Sequence, residues 1–172
     1  MQGLITANTE TLEQVLSLIE AAQGTAYIDI AEGMTSSLGC HVRHVLDHYE
    51  ALQLGVTTGE VDYDRRNRDS VVETDAEQAK RNISALIAWL NENVAVDVCL
   101  KMKTEISASS QETVIIDSSL KRELIYLLNH TVHHMAQVTL ALRIMGITIG
   151  DQIGIAPATL THLRNSEIRQ AS

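Results

Sequence analysis

The chain repeats one pattern: hydrophobic residues spaced three and four apart, broken by short polar stretches. Thr11-Leu12-Glu13-Gln14 reads as a capping box, so a first helix is expected to start near Thr11. Leu12, Val15, Leu16, Leu18 and Ile19 face inward, and Gly24 ends it. Thr35, Ser36 and Ser37 are good N-caps for a second helix that runs to about Gly55. A polar loop follows. Thr74-Asp75-Ala76-Glu77 forms another capping box, and Ala79, Ile83, Leu86, Leu90 and Val94 mark the inner face of a third helix. The period then changes. Val94, Val96, Val98, Leu100 and Met102 alternate as in a strand, Ser107 to Gln111 read as a turn, and Glu112 to Asp117 read as the return strand. The fourth helix is expected after Asp117-Ser118-Ser119 and reaches about Met145, roughly 40 Å, with Gly146 as its stop. A loop and a short helix with Pro157 near its start close the chain, and residues 146–172 are expected to pack on the helices.

Four long amphipathic helices suggest an all-α bundle with a small β-hairpin inserted between the third and fourth. At 172 residues the chain suits a single domain, residues 1–172. Phe is absent, so the core must come from Leu, Ile, Val, Ala and Met. The net charge of -9 argues against nucleic acid or an anionic membrane as partner. No apolar run approaches the roughly 18 residues a bilayer span needs, and the first residues lack a signal-peptide pattern. Cys40 and Cys99 lie far apart with no CxxC, as free thiols in a cytoplasmic protein would.

The candidate chemistry is histidine. His130 and His134 are four apart and share a stripe with Leu127, Val138 and Met145, while His133 points aside. Such a pair can meet one metal ion, or it can pack as neutral histidines in a helix interface. The second helix adds His41, His44 and His48, which lie within about 60° of one another on a helical wheel. Periodicity does not choose among them and slightly prefers His41 or His48, nearer the apolar centre.

Two stretches resemble the DinB-like superfamily. His44-Val45-Leu46-Asp47 is similar to its second-helix motif. His130-x3-His134, Gln137 and the exit Leu142 to Ile147 are similar to its fourth-helix motif. The resemblance implies an up-and-down four-helix bundle. It also implies a divalent metal, zinc or nickel, on His44, His130 and His134, with an open position for water. Asp47, His48, Gln137, His41 and His133 are then candidates for supporting the ligands or lining the pocket. Relatives of this kind suggest a metal-dependent hydrolase or a thiol-dependent transferase or isomerase. The substrate would be a small molecule, such as a low-molecular-weight thiol. The alternative is a non-catalytic metal-binding or stress-associated helical dimer. Met135-Ala136 departs from the basic residue and Gly of many relatives, so the substrate is not carried over. A homodimer is expected, because long helices carry apolar faces. Arg65, Arg66 and Arg68 form a cationic loop that either clamps a carboxylate or pairs with nearby acids.

Overall fold

The structure is a computed structural model and describes residues 1–65, 67 and 70–170. It is mostly helical, with one small sheet. The helices are α1 (Gln2–Ala21), α2 (Leu38–Thr58), α3 (Ala76–Asn93), α4 (Leu120–Ile144) and α5 (Pro157–Gln170). The strands are β1 (Glu60–Asp62), β2 (Cys99–Glu105) and β3 (Thr113–Ser119). α1 and α2 each pack against both α3 and α4.

Caps set three of these helices. The Ser37 side chain accepts from the Cys40 N–H at the start of α2. Ser119 does the same for Arg122 at the start of α4. α3 corrects one expectation: its cap is Asp75, accepting from the Gln78 N–H at 2.9 Å, and not Thr74. Asp75 wins because the Thr74 hydroxyl instead donates back to the Val71 carbonyl.

α1 begins nearly three turns earlier than the capping box suggests. Thr11 is in mid-helix, and its hydroxyl donates to the Ala7 carbonyl one turn back at 2.8 Å. Ile5 and Asn8 are buried and continue the stripe of Leu12, Val15 and Ile19. Asn8 is polar, which hides that continuation in the sequence. Its amide donates to the carbonyls of Leu4 and Leu124 and accepts from the Tyr49 hydroxyl at 2.7 Å.

The expected hairpin is present as β2 and β3, with Met102 opposite Ile116. It is part of a three-stranded sheet, ordered β1-β2-β3, because β1 pairs parallel to β2 with Val61 beside Met102. β2 starts at Cys99 rather than Val94. Val94 instead ends α3 and is buried, while Val96 is exposed. Val61, Leu100 and Met102 bury the inner face of the sheet.

After α4 the chain turns at Gly146, in the left-handed region, and folds back. Ile149 is buried. Gly154 lies against the α4 backbone: a Cβ there would sit 2.7 Å from the Ala136 nitrogen. Along α5 the described side chains are exposed except for half-buried Leu160 and Ser166.

Gly39, in the first turn of α2, lets the segment around Glu73 approach that helix. A Cβ at this position would lie 2.0 Å from the Glu73 carbonyl oxygen and 2.9 Å from the Tyr27 ring. Helix propensity alone would favour alanine by about 1 kcal/mol. Backbone cannot yield as a side chain does, so overpacking outweighs that gain. Gly39→Ala is expected to destabilise the fold by about 1–3 kcal/mol in urea unfolding, and a stabilised variant would refute the close approach.

Candidate metal centre

The centre lies between α2 and α4. Ser37 and Ser119 fix where each helix starts, and the Asn8 amide ties Tyr49 of α2 to the Leu124 carbonyl of α4. That register brings His44 opposite His130 and His134, which stack one turn apart. One ring nitrogen from each of the three lies within 4.8 Å of the others. His44 Nε2 and His130 Nε2 are 2.9 Å apart. The ring centroids of His134 are 4.6 Å from His44 and 4.5 Å from His130. All three rings are half-buried. Among the described residues no other group of three His, Cys, Asp or Glu converges in this way.

The donor set fits a divalent cation of intermediate softness. Two nitrogens each about 2.0–2.1 Å from one zinc stand about 2.9–3.4 Å apart, for angles between a right angle and the tetrahedral one. The His44–His130 separation falls at the lower end of that range. Imidazole suits zinc or nickel, and the group contains neither the thiolate of a structural zinc site nor the oxygen cage that calcium requires.

Three imidazoles surround the central three. The His41 Nδ1 faces the His134 Nδ1 at 3.0 Å. His48 is buried, and its Nδ1 lies 2.9 Å from the His44 carbonyl oxygen. A carbonyl only accepts, so that nitrogen carries the proton. The His48 ring centroid is 4.4 Å from both His44 and His130. His133 stands aside as expected, and the Gln137 amide donates to its Nε2 at 2.7 Å. Asp47 turns away from the imidazoles to pair with Arg43 at 2.6 Å, and Arg43 also holds Glu73. The two residues that periodicity slightly preferred, His41 and His48, thus flank the group rather than complete it.

Four further residues frame the centre. Tyr126 stacks on His130 and Tyr63 stacks on His48, each pair 16° from parallel. Arg122 places its guanidinium 5.5 Å from the Tyr126 ring centre. Glu123 is 0% exposed, so its carboxylate needs partners. Tyr63 donates to it at 2.7 Å, Arg122 at 3.0 Å, and the Ser118 hydroxyl also donates. Burial and the Glu123 carboxylate push the Tyr63 hydroxyl pKa up. Tyr126 precedes His130 by four and was readable from spacing. Glu123 looks like an ordinary first-turn acid, and nothing local marks it as buried.

Burial pushes the His134 pKa down to about 3, and the neighbouring imidazoles, His130 first, add to the shift. His41 is lowered in the same way, by burial and then by His133. A cleft of about 590 Å³ runs along α2 past Asp47, Glu50, Glu60, Asp62 and Arg65. None of the three central imidazoles lines it. Arg66 and Arg68 of the cationic loop lie outside the described residues. His162 is exposed on α5.

A DinB family model matches residues 5–154. The chain belongs to the DinB family. DinB proteins are metal-binding, and the three-histidine group is where this member could hold an ion. FK506-binding protein 5 of Rhizopus delemar is 31% identical over 106 residues, which cover 60% of this chain and 28% of that protein. The DinB chain therefore matches little more than a quarter of that relative's length. No solved structure matched. No helix among the described residues is long and apolar enough to cross a membrane.

Two outcomes follow for the metal-free protein. An unfolded His134 takes up a proton near its ordinary value of 6.5, whereas the folded one resists until about 3. The unfolded state therefore binds more protons in that window, and stability falls as pH drops below about 6.5. The thermal midpoint of His134→Gln should decline less steeply between neutral pH and pH ~4.5 than that of the parent. Equal slopes would contradict the lowered pKa. Tyr63→Phe leaves the buried Glu123 short of a donor and should cost about 1–3 kcal/mol in urea unfolding.

Proposed function

We propose that this DinB protein binds zinc or nickel through His44, His130 and His134 and uses it on a small-molecule substrate. The reaction would be that of a hydrolase or of a thiol-dependent transferase or isomerase. The observation that carries this reading is the convergence of three imidazole nitrogens from two helices within 4.8 Å. Three neutral ligands leave the full charge of a divalent ion uncompensated, and three protein donors leave a coordination position open. Bound there, the metal supplies Lewis-acid polarisation and favours the deprotonated form of a water or thiol.

The surrounding residues have their own parts. Tyr126 and Tyr63 wall the imidazoles on one side and keep water from that flank. His48, protonated on Nδ1 by its bond to the His44 carbonyl, packs edge-on against the His44 ring and restrains it. No carboxylate belongs to the converging group, so proton transfer during a reaction falls to imidazoles or solvent. Arg65, beside the cleft along α2, is the described member of the cationic loop that is placed to meet an acidic group.

In this reading the four long helices form one up-and-down bundle, a single cytoplasmic domain on which the returning chain packs from residue 146 as far as Gly154, with α5 left largely exposed. Ile125, Leu140 and Ile144 expose apolar surface along α4, which supports a homodimer. A second reading, a metal-binding dimer without turnover, is favoured by one observation: the cleft of about 590 Å³ along α2 is not lined by the three imidazoles.

Metal analysis of protein purified without a nickel column is expected to find near-stoichiometric zinc or nickel. Adding either ion to stripped protein should stabilise it by about 2.7 kcal/mol at a hundred times the dissociation constant. His44→Ala and His130→Ala should abolish the shift. Absence of both bound metal and thermal shift would end the metal reading. Screening thiol conjugation with small electrophiles then tests the thiol-dependent reaction, and a parent no faster than His134→Ala leaves that reaction unsupported.

A further inference from the structure

We infer that His41 is a positioning residue for the metal centre: it accepts a hydrogen bond from the His134 Nδ1–H and so fixes the tautomer that presents His134 Nε2 to a cation. This rests on the three-imidazole reading above. The two Nδ1 atoms are 3.0 Å apart, with ring centroids at 5.2 Å and planes tilted by 48°. The rings meet edge to edge rather than stacked. At that distance one nitrogen carries the hydrogen and the other offers its lone pair, because two lone pairs repel and two N–H groups collide.

Which ring carries the hydrogen decides what His134 can do. If His41 donated, a neutral His134 would be protonated on Nε2 and could not ligate through it. If His134 donates, its Nε2 is a bare donor. The close pair formed by His44 and His130 is also made through Nε2. All three ligands would then use the same ring atom.

A ligating imidazole ordinarily gives its second N–H to a carboxylate, a backbone carbonyl or water. Here the buried α2 carboxylate Asp47 is committed to Arg43. His41, nearly two turns earlier on α2, takes the place instead. Leu18, Leu38, Val42 and Val138 line a narrow apolar seam beside His41 and His134 and offer neither ring a polar side-chain partner of their own. Periodicity alone slightly prefers His41 or His48 over His44 as the ligand. The same placement near the apolar centre suits the role of acceptor.

Zinc affinity by chelator competition is the direct test, with the thermal midpoint of the metal-free form as a check on folding. His41→Ala should bind zinc about 10–100-fold more weakly with that midpoint unchanged. His41→Asn places an acceptor oxygen where Nδ1 was and should recover most of the loss. Long-range nitrogen–proton correlation spectra of the zinc-loaded parent should show His134 protonated on Nδ1. His41→Ala binding within about twofold of the parent, or His134 protonated on Nε2, overturns the inference. His44→Ala distinguishes the two levels. If it keeps full affinity, the three-imidazole reading falls and His41 with it. If it loses affinity while His41→Ala does not, only the role of His41 falls.

Discussion

The buried amide of Asn8 is the contact on which the arrangement of helices depends. It lies at 0% exposure between α1, α2 and α4, where an unpaired amide would cost several kcal/mol. Its partners sit on all three: its own helix at Leu4, the α4 carbonyl of Leu124 and the α2 hydroxyl of Tyr49. Apolar contacts around it tolerate small slides of one helix along another. A hydrogen-bonded amide does not, because a slide of one turn strands the Tyr49 hydroxyl or the amide. The register of α2 on α4 is fixed there, and with it the level at which His44 faces His130.

A second buried polar group ties the sheet to the same helix. Glu123 on α4 is held by Tyr63, just beyond β1, and by Ser118 in β3. Tyr63 also covers His48, so one residue both neutralises a buried carboxylate's hydrogen-bonding need and closes the flank of the imidazole group. Both networks follow one physical rule. In a core built almost wholly of aliphatic side chains, the few polar groups are the ones with direction, and they set the alignment that dispersion leaves loose.

That rule explains what could be read from the sequence. α2, α3 and α4 were legible because period and cap are local signals and agree at Ser37, near Asp75 and at Ser119. The nearly three turns of α1 before Thr11 were not, because Asn8 breaks the apolar stripe and shows its burial only through partners on other helices. β1 was hidden in a polar loop, since three residues paired in parallel with a strand some forty positions away leave no local trace. The His130–His134 pair was plain from its spacing. Periodicity left the choice among His41, His44 and His48 open, because all three lie on one side of α2, and only the resemblance of His44-Val45-Leu46-Asp47 pointed to His44. What separates them is the level of α4, and that is set by Tyr49 and Leu124 through Asn8.

The close approach of Gly154 to the backbone of α4 has a mechanical meaning. The returning chain is clamped at Met135 and Ala136, immediately after the helical turn that carries His134. Beyond the clamp, α5 is largely exposed. Force applied to the chain past Pro157 is taken up at a backbone-to-backbone contact rather than by the imidazoles. The three-histidine group would feel the load only after that contact gave way.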